Sequence, residues 1–168
     1  MPNVFEGSST AVEGRFAIVV ARFNETITRR LLEGAVETLL SRGIPEAQID
    51  IAWVPGAYEI PTVAMQLARS DRYAAVLCLG AVIRGETTHD RHINRAVADA
   101  LARIGMETGV PTLFGVLTCN SVEQAVARSG GNATTGKDAP QKAIGNKGID
   151  CALAALEMVD LLGKLPPC

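Results

Sequence analysis

Aromatic residues are scarce, 4% of the 168 residues, so an interior drawn from a 48% hydrophobic fraction must be built mainly of Ala, Val, Ile and Leu. That composition suits helices packed on a parallel sheet. A surplus of positive charge is also missing. The 16 Lys and Arg against 18 Asp and Glu leave a formal charge of −2, and no basic run appears. This argues against a dedicated nucleic-acid binder, because affinity for a phosphate backbone needs concentrated cations. Cysteines are few and scattered: Cys78, Cys119, Cys151 and Cys168 form no C-x-x-C and no Cys/His cluster. Neither a disulfide framework nor a zinc site is suggested, and a reducing cytoplasm is the expected compartment. Long apolar runs are absent as well. The most apolar stretch, Ala74 to Ile83, is about half the roughly 20 residues needed to span a bilayer and reads as a buried strand. Met1 to Gly7 has no basic start followed by an apolar stretch, so no secretion signal is expected. The length allows one sizeable core but not two ordinary domains, and a single domain over residues 1–168 with an N-terminal arm at 1–13 is expected.

What is present is a βα repeat. Four strand-like apolar runs, Arg15 to Ala21, Ile49 to Val54, Ala74 to Ala81 and Pro111 to Leu117, are each followed by a helical pattern. Their near-continuous apolar character implies burial on both faces, and alternation with helices makes the sheet parallel. A short strand near Val4 to Glu6 is a further expectation. The first helix should start at Asn24 as N-cap, with Ile27, Leu31, Ala35 and Leu39 on one stripe, and stop at Gly43. A second should open at Pro61 and bury Val63, Ala64 and Leu67. A third should open at Thr87 or Thr88, bury Ile93, Val97, Leu101 and Ile104, and end by Gly109. A fourth should open at Asn120 or Ser121 with Glu123 and Gln124 completing a capping box. A fifth should run from Asn146 to Leu162 with Ile149, Leu153 and Leu156 inward. The Gly-, Thr- and Lys-rich stretch over 129–145 lacks either periodicity and reads as an extended surface loop.

Ligands of an open parallel sheet bind beyond the carboxyl ends of its strands. The distinctive local sequences fall there: Ala21-Arg22-Phe23-Asn24, Val54-Pro55-Gly56-Ala57-Tyr58-Glu59, and Val82-Ile83-Arg84-Gly85-Glu86-Thr87-Thr88-His89. Gly85 to Thr88 can gather N–H groups and hydroxyls into an anion site at a helix start, or can simply be a capped turn. His89 sits in the first helical turn, where the dipole disfavours imidazolium. It suits proton transfer beside that site, or it is a solvated surface residue. His92 has no third partner to make a metal site with it. Glu59 can accept sugar hydroxyls or serve as a helix-start charge. Phe23 and Phe114 can stack on a planar heterocycle or pack in the core. Trp53 reads as core, and Arg128 as a phosphate clamp or a surface cation.

These segments in order resemble the lumazine synthase family from Phe16 to Met158. The resemblance runs through Ala-Arg-Phe-Asn at 21–24, Trp-Val-Pro-Gly-Ala-Tyr-Glu-Ile-Pro at 53–61 and Leu-Gly-Ala-Val-Ile-Arg-Gly-Glu-Thr-Thr-His at 79–89. It continues through Phe-Gly-Val-Leu-Thr at 114–118, Glu-Gln-Ala-Val-Ala-Arg at 123–128 and Asn-Lys-Gly at 146–148. The fold it implies is a flavodoxin-like three-layer α/β sandwich, with a mainly four-stranded parallel sheet between helices. The activity it implies is condensation of 5-amino-6-(D-ribitylamino)uracil with 3,4-dihydroxy-2-butanone 4-phosphate, a transferase reaction of riboflavin biosynthesis that uses neither cofactor nor metal. By the same resemblance Phe23 stacks on the pyrimidinedione, and Ala57, Tyr58 and Glu59 bind its ribityl chain. Ala81, Val82 and Ile83 line the ring pocket, Glu86 and Thr87 bind the sugar phosphate, and His89 moves protons. Phe114, Arg128 and Lys147 would come from a neighbouring subunit of a homo-oligomer. Two departures stand out. Asp90 follows His89 where the family usually has an aromatic residue, and the 129–145 loop is longer than usual. Those extra residues favour a pentameric ring, single or doubled, over a closed shell. The rival readings are a non-catalytic flavin- or lumazine-binding module and a shell-forming protein on the same fold. Retention of both His89 and Arg128 favours the enzyme.

Overall fold

In a computed structural model, residues 1–131 and 145–167 are described. Residues 132–144, most of the expected loop, and Cys168 lie outside them. The elements are β1 (Arg15–Ala21), α1 (Glu25–Ser41), β2 (Ile49–Val54), α2 (Ile60–Ala68), β3 (Tyr73–Ile83), α3 (His89–Thr108), β4 (Thr112–Cys119), α4 (Val122–Arg128) and α5 (Lys147–Lys164). All strands pair in parallel in the order β2-β1-β3-β4. This is the flavodoxin-like order, with the chain reversing direction across the sheet between β1 and β3.

Alternation along the central strands supplies two cores. Phe16, Ile18, Val20, Leu77 and Leu79 meet Leu31, Ala35 and Leu39 of α1 and Ala152, Ala155 and Leu156 of α5. Ala17, Val19, Val76 and Cys78 meet Ala64 of α2 and Val97, Leu101 and Ile104 of α3 on the other face. At the amino edge, Asp50 Oδ2 accepts from Arg15 Nη2 at 2.7 Å and from the Tyr73 hydroxyl at 2.8 Å, tying the starts of three strands together. No helix among the described residues is long and apolar enough to cross a membrane.

Several expectations need correction. Val4 to Glu6 form no strand. The arm reaches α5 rather than a sheet edge, and its polar groups bond helix side chains: Ser8 N–H donates to Asp160 Oδ2 at 2.7 Å and Lys164 Nζ to the Glu6 carbonyl at 2.9 Å. Trp53 lies on edge strand β2 and is only half-buried, with the Arg22 and Arg29 guanidiniums 5.2 and 5.4 Å from its ring centre. Ile149 is 39% exposed and Leu153 is half-buried, while Val63 and Leu67 are partly buried and pack against the core. The phase of α5 is set by Gly148, whose missing Cβ would lie 1.9 Å from the Leu31 carbonyl oxygen. With residue 148 against α1, the inward stripe is 148, 151, 152, 155 and 156, and Ile149 turns away. At α4, Ser121 Oγ accepts from Gln124 N–H, while Gln124 Oε1 reaches back to the Asn120 N–H at 2.9 Å, one residue earlier than a strict capping box requires.

Candidate active site

The site is assembled where β1 and β3 part. Beyond β1 the backbone follows the end of β2, with Arg22 N–H donating to the Val54 carbonyl at 2.8 Å and Phe23 N–H to the Pro55 carbonyl at 3.0 Å. These bonds hold Phe23 outward, 71% exposed. Asn24 stands at the N-cap of α1 as expected, but in the left-handed region (φ 60°, ψ 45°) and without a side-chain cap bond. After β2, Ala57–Glu59 form a single 3-10 turn that runs directly into α2, with Pro61 in its first turn. A Cβ on Gly56 would lie 3.1 Å from Glu59 Oε2, so glycine gives the Glu59 carboxylate room to fold over the turn.

Beyond β3, Arg84 N–H donates to the Cys119 carbonyl at 2.8 Å, and five residues later α3 opens at His89. Thr88 occupies the N-cap without a side-chain cap bond, and the nearest hydroxyl contact is a long 3.4 Å bond from His89 N–H to Thr87 Oγ1. A capped turn therefore does not account for Gly85 to Thr88. The first-turn N–H groups of α3 keep little side-chain competition for an anion.

A cleft of about 920 Å³ lies between these segments. One wall is Phe23 with residues 55–59, the floor is Ala81, Val82 and Ile83, and the far side is Gly85, Thr87 and the first two turns of α3. Phe23, Ala57, Tyr58, Glu59, Ala81, Val82, Ile83, Thr87 and His89 are thus brought together. Glu86 is exposed in the same turn but does not line the cleft. Sequence reasoning missed His92, Ile93 and Ala96 as wall residues; their spacing of three, four and seven from His89 carries the signal, since such positions share one helix face.

A family model for 6,7-dimethyl-8-ribityllumazine synthase matches residues 13–163. The chain belongs to that family. Lumazine synthases are transferase-type enzymes of riboflavin synthesis with small-molecule substrates, and the cleft is of a size for such ligands.

Phe114, Arg128 and Lys147 lie elsewhere in the chain. Phe114 pairs with Cys78, five positions before the Ile83 and Cys119 pair at the carboxyl edge, a distance of about 16 Å along the strand. It is 40% exposed on edge strand β4. Arg128 ends α4 and Lys147 opens α5, both exposed. Asn146 joins these two segments: its Nδ2 donates to the Ser129 carbonyl at 3.2 Å and the Arg30 carbonyl at 3.0 Å, while its Oδ1 accepts from Gly148 N–H at 2.8 Å. Gly130 N–H donates to the Gly145 carbonyl at 2.9 Å, closing the neck of the intervening segment.

Cys78, Cys119 and Cys151 are free thiols. Burial pushes the Cys78 thiol up, raises Cys119 against the opposing charge of Arg128, and pushes Cys151 up to about 11. These are unreactive core groups. Among the described residues no three His, Cys, Asp or Glu side chains converge as metal ligands would.

Proposed function

We propose that this chain forms 6,7-dimethyl-8-ribityllumazine from 5-amino-6-(D-ribitylamino)uracil and 3,4-dihydroxy-2-butanone 4-phosphate, releasing phosphate and water. The observation that carries this reading is the pairing within one cleft of an exposed aromatic, Phe23, with His89 at a helix start whose N–H groups are not capped by side chains.

The planar pyrimidinedione stacks on Phe23 and presents its polar edge to the peptide groups of Ala81, Val82 and Ile83. Ala57, Tyr58 and Glu59 take the ribityl chain, the Glu59 carboxylate accepting from its hydroxyls. The phosphate of the second substrate lies at the start of α3 on backbone N–H groups of Glu86 and Thr87 and on the Thr87 hydroxyl. The pyrimidine amine attacks the ketone and loses water to give an imine, phosphate then leaves, and tautomerisation and attack by the ribityl-bearing nitrogen close the ring with loss of a second water. His89 carries protons between these steps. The protein contributes proximity and a fixed field for the departing phosphate charge, and needs no covalent intermediate.

Phe114, Arg128 and Lys147 complete the site from the adjacent subunit of a pentameric ring. Supporting this is their placement: Phe114 stands exposed on an edge strand well below the carboxyl edge, where its own cleft cannot use it. The test is incubation of purified protein with both substrates, following lumazine fluorescence and released phosphate together. Appearance of both in equal amounts supports the proposal. Binding of the pyrimidine without either product replaces it with a binding module.

A further inference from the structure

Asn24 precedes α1 and its carbonyl accepts the first helical bonds, from Ile27 N–H at 2.9 Å and Thr28 N–H at 3.1 Å. Its side chain takes no part in that helix. With φ at 60° the residue turns back, and Nδ2 donates to the Ala81 carbonyl at 2.8 Å, 57 positions away. The bond crosses the point where the sheet loses its pairing. The last β1 residue paired with β3 is Val20, opposite Leu79, and beyond it β1 departs toward α1 while β3 continues to Ile83. The Asn24 carboxamide thus stands where a further strand residue would otherwise bond Ala81. Alternation puts the peptide edge of Ile83 on the same side as that of Ala81, so the amide ends the ladder one step before it.

The bond links the turn that carries one wall residue, Phe23, to the floor of the cleft. Phe23, bonded directly to Asn24 in the chain, is the exposed aromatic; Ala81 begins the floor that faces it. Phe23 has little packing of its own to place it, so the turn that carries it decides where the ring stands. On the far side Thr28 Oγ1 donates to the Ala21 carbonyl at 2.7 Å, holding the start of the same turn. The turn is therefore pinned to its own strand by Thr28 and to the cleft floor by Asn24.

We propose that Asn24 is a positioning residue of the condensation: its amide sets the width of the slot between Phe23 and the Ala81 to Ile83 backbone, and so governs recognition of the pyrimidinedione but not of the sugar phosphate. This rests on the reading of the cleft under Proposed function. A glycine at position 24 keeps the left-handed turn without strain and removes the amide. An aspartate keeps the shape and tolerates the turn, but its ionised carboxylate has no proton to donate to Ala81.

The experiment compares wild type with Asn24→Gly and Asn24→Asp. It measures thermal melting, kcat, KM for each substrate, and equilibrium binding of ribitylaminouracil alone. Loss of one placed hydrogen bond should raise the Kd and KM for ribitylaminouracil about tenfold in both variants, leave KM for the sugar phosphate within about twofold, and leave melting of Asn24→Gly near wild type. A purely structural role would lower the melting temperature and the active fraction without separating the two KM values, and that result overturns the proposal. Unchanged ribitylaminouracil binding in both variants overturns it too. Wild-type protein that fails to bind ribitylaminouracil overturns the underlying reading of the cleft, a failure distinguishable because it needs no variant.

Discussion

Gly148→Ala should destabilise the fold by about 2 kcal/mol, because the second residue of α5 has no space for a methyl group. An ideal Cβ there would stand 1.9 Å from the Leu31 carbonyl oxygen, 2.7 Å from its carbon and 3.0 Å from Asn146 Oδ1. An ordinary carbon-to-oxygen contact is about 3.3 Å or more, so α1 and α5 must part by roughly 1.4 Å. The obstacle is backbone, which cannot swing aside as a side chain would, and overpacking of this kind costs about 1 to 3 kcal/mol. Disturbing the bond from Gly148 N–H to Asn146 Oδ1 removes about 1 kcal/mol more. Higher helix propensity of alanine returns at most about 1 kcal/mol. For a chain of this size 1 kcal/mol corresponds to about 2 to 4 °C, so the melting temperature should fall by about 4 to 8 °C. The control is Gly163→Ala on the same helix, where a Cβ meets nothing within 4 Å; its melting temperature should be unchanged or slightly raised. Circular dichroism melts at matched protein concentration check both. If Gly148→Ala melted at or above wild type, the close approach of α5 to α1 would not be what sets the helix phase.

Further outcomes follow from the site and the amino edge of the sheet. His89→Ala should lower kcat by about 10² with little change in either KM, the size of one acid/base contribution; wild-type turnover in steady-state kinetics would remove His89 from proton transfer. Arg128→Ala should raise KM for the sugar phosphate more than for the pyrimidine, and inorganic phosphate should compete with the former. Equal effects on both substrates would remove Arg128 from the anion site. Asp50 is held below the usual carboxylate range by its hydrogen bond from Arg15 and then by that from Tyr73. A depressed folded-state value gives stability that is present above the unfolded value of about 3.9 and is lost as pH falls through the folded one. The melting difference between wild type and Asp50→Asn should therefore be largest above about pH 5 and shrink toward pH 3; a pH-independent difference would rule out this linkage.

The strands were legible because each is a near-continuous apolar run. β1 and β2 begin and end where the pattern does, whereas β3 and β4 each end two residues further on, at Ile83 and Cys119. Asn24 shows the limit of local rules. An asparagine before an amphipathic stripe signals an N-cap, and the position was right, but nothing nearby reveals that its amide bonds Ala81. Ile149 failed for a related reason: helical period gives the width of a stripe, and only the tertiary contact of Gly148 with Leu31 gives its phase. In the site, the residues drawn from the three strand ends were readable because a parallel sheet delivers those ends to one edge. Phe114, Arg128 and Lys147 are expected in the site only through the family resemblance, and a single chain does not bring them to the cleft.

Closure of the neck at Gly130 and Gly145 separates chain length from architecture. Because the polypeptide leaves and returns at one point, the backbone next to Arg128, at Ser129, and the backbone next to Lys147, at Gly148, are both bonded by the Asn146 side chain. The entropic cost of closing such a loop grows only with the logarithm of its length, about 0.6 kcal/mol for each doubling. The spacing of the α4 end from the α5 start is thus a property of the bonds at the neck and not of the number of residues strung between them.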